Sequence, residues 1–195
     1  MNPIFRTLVI LALFCFGSVF AFAQGTDAAK PKPNKRISSK YDKGKDRTTV
    51  KLKAMPLTGL NDERKTVTAV ASHQMDVEVS FTHPGQTVTE QVAEMEFRFH
   101  MTAGAYLFYK PQQIVVALDQ GSDEGRAMDL GFTGYKSTTQ FNSVFEEFMS
   151  ITIPFSALDK ITKAKKVELY VGPVAYELKD AQIQDLRDLG AKMMP

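Results

Sequence analysis

Glu94, Glu96, Arg98 and His100 occupy every second position of one stretch, alternating with Met95, Phe97, Phe99 and Met101. That alternation is strand periodicity, so the four polar side chains share one face of a sheet. Successive residues on such a face stand ~7 Å apart, a spacing compatible with paired-carboxylate glycoside chemistry. The wet side of any half-buried sheet carries the same residue types, and catalysis needs a cleft that perturbs their ionisation. Three histidines, His73, His83 and His100, match in number the ligands of an open zinc site. Parity opposes such a site: His73 and His83 bracket the face of Met75 to Phe81 from opposite ends, ~33 Å apart at strand rise, and His100 points away from its apolar neighbours. The loop Asp119-Gln-Gly-Ser-Asp123-Glu124-Gly125 gathers three carboxylates and two glycines. Oxygen ligands of this kind suit a weak calcium site built from Asp119, Asp123 and Glu124, although the spacing follows no EF-hand register. The default reading is a polar turn whose glycines supply positive φ, with calcium as the one candidate cofactor.

Several chemistries have no support. The chain has no G-x-S-x-G, H-E-x-x-H or G-x-x-x-x-G-K-[ST] motif, and no G-x-G-x-x-G between a strand and a helix. No catalytic residue is assigned. With no Trp, a carbohydrate platform would depend on Tyr. Tyr170 and Phe148 lie on the outer parity of their strands, which suits either an exposed patch or a surface covered by the C-terminal helix.

The start of the chain reads as an export signal: Arg6, then an apolar run from Thr7 to Phe22, then Ala21-Phe22-Ala23, with cleavage expected after Ala23. A retained anchor is the competing reading. The single cysteine, Cys15, lies inside that run, so the exported part has no thiol, disulfide or Cys-based zinc site. Residues 24–45 form a Lys-, Pro- and Ser-rich stretch expected to be an extended linker. Charge is divided along the chain: residues 24–53 hold ten Lys/Arg against three Asp/Glu, whereas residues 54–195 hold 13 against 19. Lys30, Lys32, Lys35, Arg36 and Lys40 are the candidate contacts to anionic envelope components; a solvated tether is the simpler alternative. The net charge of +2 argues against a general nucleic-acid binder.

These residues need a scaffold, and the 195-residue length and 44% hydrophobic composition admit one globular domain, expected over residues 46–195. Strands are predicted from Thr48, at Met75–Phe81, Met95–Met101, Tyr106–Phe108, Ile114–Asp119, Met128–Thr133, Phe141–Ile153, Lys166–Val171 and Val174–Leu178. Gly172-Pro173 joins the last two as a hairpin. A short helix is predicted over Ser156–Lys165, and a second runs from Asp180 as N-cap to about Met194. The short connections dictate antiparallel pairing. The expected fold is mainly β: an antiparallel two-sheet β-sandwich with a short helix and a C-terminal α-helix. The alternative is an α+β single curved sheet with both helices on one face.

The segment Lys40-Tyr-Asp-Lys-Gly-Lys-Asp-Arg-Thr-Thr-Val50 and the ending Val167-Glu168, Gly172, Tyr176-Glu-Leu-Lys-Asp180, Gln182 and Leu186-Arg-Asp-Leu189 resemble the two ends of a group of uncharacterised exported bacterial proteins. The resemblance implies an exported β-rich module, periplasmic or extracellular, and carries over no site residue. The sequence therefore reads as a non-catalytic exported module acting by binding or envelope contact, with no transmembrane segment once the signal is removed. The alternatives are a hydrolase using Glu94, Glu96 and His100, and a weakly calcium-binding adhesin-like module. Ligand and oligomeric state stay open.

Overall fold

The computed structural model describes residues 33–59, 74–120, 125–139 and 144–195. The signal segment, Lys30, Lys32, His73, Asp123 and Glu124 lie outside these. From Asn34 to Pro195 the chain is one compact unit. Its strands are β1 (Ile37–Asp42), β2 (Arg47–Gly59), β3 (Gln74–Pro84), β4 (Glu94–Ala103), β5 (Gln113–Leu118), β6 (Arg126–Phe132), β7 (Gly134–Thr139), β8 (Phe145–Pro154), β9 (Val167–Val171) and β10 (Val174–Leu178). Among the described residues two helices accompany them: α1 (Phe155–Lys163) and α2 (Asp180–Ala191).

All pairings are antiparallel. The strands form one ten-stranded sheet in the order β6-β5-β9-β10-β2-β3-β4-β8-β7, with β1 added to β2 off that path. The expected mainly β, antiparallel fold with a C-terminal helix is present, its strands running in one large sheet. The physical reason lies in β2, whose pairing with β3 shifts between Leu52 and Met55. Before that bulge β2 pairs with β1; beyond it Thr58 and Gly59 pair with β10, so one strand serves both halves. The bulge leaves the Lys53 and Ala54 carbonyls off the ladder, and the Arg36 guanidinium donates to both, at 3.2 and 3.0 Å. At the far end, Thr133 alone separates β6 from β7, although these two strands end the path on opposite sides. One residue spans only a few ångströms, so the sheet curls until its ends meet.

The inward parity of each strand is apolar: Met75, Val77, Val79 and Phe81 on β3, Met95, Phe97, Phe99 and Met101 on β4, and Ile114 and Val116 on β5 are all buried. Leu158 and Ile161 of α1 and Ile183, Leu186 and Leu189 of α2 join that core. Met55, Phe97, Ile114, Leu169, Ile161 and Leu186 line a shared apolar void of about 10 Å³. A void of that size has room for at most one water, and its lining offers no polar partner. The helices pack tightly because position 190 is glycine: a Cβ there would stand 3.0 Å from Leu158 Cδ2.

Other expectations are corrected locally. The linker drawn to Lys45 ends sooner, because Ile37–Asp42 pairs with Arg47–Leu52. Asn34 donates to Asp185 (2.8 Å) and Asp188 (2.9 Å), and Arg36 Nε lies 3.1 Å from Asp185, so the arm's end is tied to α2. Tyr106–Phe108 is a loop, and the Leu107 and Phe108 N–H groups go to a side chain rather than to a neighbouring strand. Asp180 is the first residue of α2 and not its cap; Lys179 is the cap, and the Gln182 side chain accepts its N–H at 2.8 Å.

Candidate functional site

The outward parity of β3, β4, β8 and β7 carries the polar ladder, and strand register decides which residues meet. Asp76 pairs with His100, His100 with Phe148, and Phe148 with Lys136, forming one row across four strands. The next row is Glu78, Arg98, Ser150 and Gly134. Paired side chains on one face stand ~5 Å apart. Above these rows lies an open groove of about 610 Å³, lined also by Ala54 of β2. Small residues at Ala54, Gly134 and Ser150 form its floor, whereas long side chains at Arg98, Lys136 and Phe148 form its walls. A second groove, about 630 Å³, continues along the same face past Lys51, Ser80, Glu96 and Thr152 and shares Arg98 with the first.

The charged groups hold one another. Arg98 Nη2 lies 2.6 Å from Glu96 Oε2, and its Nη1 stands 3.9 Å from Glu78. The hydrogen bond it donates to Glu96 pushes the Arg98 guanidinium above its ordinary value, so Arg98 stays charged. Lys51 Nζ donates to Glu78 at 3.1 Å. His100 stacks on Phe148 with ring centroids 4.6 Å apart and planes within 6°, while its Nε2 lies 3.4 Å from Glu146 Oε1. Phe148 keeps 38% of its surface exposed. The C-terminal helix joins the inner core and does not cover Phe148; Tyr170 stands on β9, five strands away along the path, with its hydroxyl donated to Glu168.

The sequence grouping of Glu94, Glu96 and His100 separates on this face. Glu94 and His100 are six residues apart on one strand, ~20 Å, and Glu96 is committed to Arg98. Asp76, from the neighbouring strand, is the carboxylate directly across from His100. The arrangement offers fixed hydrogen-bonding groups and a ring edge rather than two carboxylates facing across a bound atom. Among the described residues, no group of three His, Cys, Asp or Glu is placed to hold a metal. His83 is buried beside Phe81, with Nδ1 2.8 Å from the Pro84 carbonyl. Asp119 sits at φ 50, and its Oδ1 accepts the N–H groups of Lys165 and Lys166, both at 2.9 Å. That bridge ties the end of β5 to the start of β9. Lys35 and Lys40 are exposed, whereas Arg36 is bound to Asp185 and to the β2 bulge.

Glu147 is a residue the sequence reading missed. Its side chain is fully buried and accepts the N–H groups of Leu107 (2.7 Å), Phe108 (3.0 Å) and Tyr109 (3.1 Å) and the Tyr135 hydroxyl (2.8 Å). Burial and this bond raise the Tyr135 phenol above its ordinary value, so it remains a donor. Gln112 completes the loop by donating to the Phe108 and Lys110 carbonyls. The result presents Tyr109, at φ 58 and 69% exposed, on a pinned loop. The signal was available: Glu147 shares the parity of Met149, Ile151 and Ile153, and a carboxylate on an inward parity must find donors.

No family model, curated protein or solved structure matches the chain.

Proposed function

We propose that this protein is a non-catalytic binding module whose ligand lies in the groove on the outer face of β3, β4, β8 and β7. The observation that carries the reading is the groove itself: about 610 Å³ lined by small residues at Ala54, Gly134 and Ser150, with Arg98 held by an ion pair and Phe148 by ring stacking. Pockets that hold small molecules have volumes of about 300–1,000 Å³ and a few oriented polar groups. Fixed walls reduce the ordering cost of binding. The curl of the sheet at the β2 bulge, with both halves lining one void, supports a sandwich-like reading of the fold, with the groove on its outside. The export signal read at the N-terminus assigns the module to a periplasmic or extracellular setting. A thermal-shift screen of saccharides, peptides, nucleotides and lipids against the wild type and Ser150→Trp tests the proposal. The expected result is a hit that raises the wild-type Tm and leaves Ser150→Trp unmoved; a screen whose hits act equally on both variants contradicts it.

A second reading has its own observation. Lys40, Lys43, Lys45 and Arg47 are exposed around the β1–β2 turn and form no ion pair among the described residues. Each contributes about 1 kcal/mol near an anionic surface, so the hairpin is an electrostatic contact to the envelope beside the ligand site. Co-sedimentation with phosphatidylglycerol vesicles that is lost in Lys40→Glu/Lys43→Glu/Lys45→Glu and at high salt supports it; binding indifferent to both removes it.

A further inference from the structure

We infer that the groove takes a neutral, polyhydroxylated chain, that is, an uncharged oligosaccharide; this rests on the groove being the ligand site. The first argument is charge. The lining holds two carboxylates, Asp76 and Glu78, and two cations, Arg98 and Lys136. Arg98 is neutralised by Glu96, and Glu78 by Lys51. Asp76 and Lys136, outside those pairs, are one carboxylate against one cation, so the lining offers an ionic ligand no net attraction, whereas hydroxyl groups use all four as they stand. A paired carboxylate still has lone pairs to accept from a sugar hydroxyl, and a paired guanidinium still has N–H groups to give.

The second argument is the ring. Phe148 is held in place by the parallel His100 stack, lines the groove and keeps more than a third of its surface exposed. A fixed, half-exposed ring next to fixed polar groups suits a ligand with C–H groups on one side and hydroxyls on its rim. The third argument concerns backbone. β4 is paired on both sides, with β3 and β8, so the floor of the groove has no free N–H or C=O row for an extended peptide to pair with. A sugar chain needs none. The fourth is length: the two grooves share Arg98 and run from the Asp76 row to Thr82, ~20 Å along the strands, which leaves room for several units in line.

The test is calorimetric titration of the protein with cellohexaose, chitohexaose and maltohexaose, beside an anionic hyaluronan hexasaccharide and an uncharged hexapeptide. Wild type, Phe148→Ala and Ser150→Trp are compared, with unfolding curves to show that each variant is folded. The expected result is binding of at least one neutral hexasaccharide, about tenfold weaker in Phe148→Ala (~1.4 kcal/mol) and absent in Ser150→Trp. Binding of the anionic oligomer or the peptide alone, still blocked by Ser150→Trp, overturns the inference and leaves the groove as a ligand site. Binding of a neutral hexasaccharide unaffected by either substitution overturns both, as does the absence of binding by every probe.

Discussion

Removing the Glu147 carboxylate tests the packing logic of the site most severely. Glu147→Ala leaves three consecutive N–H groups, of Leu107, Phe108 and Tyr109, and the Tyr135 hydroxyl without their acceptor at a fully buried position. Hydrogen bonds to a charged group contribute about 1.5–3 kcal/mol each, but four sharing one acceptor do not add. A buried donor left without a partner costs about 1–3 kcal/mol, and relaxation of the loop recovers part of the four, so ~4 kcal/mol is expected. That corresponds to a Tm lower by about 10 °C in a domain of this size. Glu147→Gln keeps one accepting oxygen and turns an NH₂ group toward the remaining donors, for a loss of about 2–3 kcal/mol. Tyr135→Phe should cost about 1 kcal/mol in the wild type and almost nothing in Glu147→Ala, because its partner is already gone. Urea unfolding supplies the free energies, and amide hydrogen exchange at residues 107–109 locates the change. Release of the loop also relieves Tyr109 from its positive φ, a strain of about 1 kcal/mol or more, so the three amides should exchange far faster. A Glu147→Ala variant that loses under ~1 kcal/mol and keeps wild-type protection at those amides would refute the reasoning.

Three further outcomes follow from the geometry. Glu168 is buried between Lys166 (2.8 Å) and the Tyr170 hydroxyl (2.8 Å), and the bond from Lys166, then that from Tyr170, lowers its carboxyl below the usual value. Its folded-state pKa is depressed, so its stabilisation is full above the unfolded-state pKa and fades as pH falls through the folded one. Glu168→Gln should therefore melt below the wild type at neutral pH and converge with it in acid; a gap that widens in acid contradicts this. Asp119 uses its carboxylate to bridge Lys165 and Lys166, so Tm should be the same in calcium and in chelator, while Asp119→Ala loses about 1–2 kcal/mol. A calcium-dependent Tm would return the loop to the metal reading. A chain begun at Asp46 loses β1 and the Asn34 and Arg36 ties to α2, and it bares the edge of β2. It should aggregate or melt well below a chain begun at Asn34, as light scattering and calorimetry will show.

β3 and β4 were legible in the sequence because burial of one face forces strict alternation, and Met75–Phe81 and Met95–Met101 show it without interruption. β1 was not, because Ser38, Ser39 and Lys40 are all exposed and Ile37 is its one apolar residue packed on the core, too little to show a periodic pattern. β7, Gly134–Thr139, is hidden for a related reason: it ends the sheet path, with only one neighbour to impose a pattern. Tyr106–Phe108 looks like a strand by its aromatics, but Glu147, some forty residues away, takes the N–H groups of Leu107 and Phe108. The continuity of the sheet depends on a one-residue shift in β2, and nothing in Leu52-Lys-Ala-Met55 announces a bulge. At the site, Arg98 and His100 could be placed on one face from their own strand. That Asp76 and Phe148 flank His100, and that Gly134 and Ser150 open the floor beside them, follows from the register between strands, which no single segment encodes.

The central claim is that a ligand occupies the outer-face groove. Amide chemical-shift mapping of the labelled protein, titrated with a ligand found in the thermal-shift screen, tests it directly. The account predicts shifts concentrated at Asp76, Arg98, His100, Lys136, Phe148 and Ser150, with the inner-face and helix amides unmoved. Shifts centred instead on Tyr109 and Phe132, or on the β1–β2 turn, would contradict it.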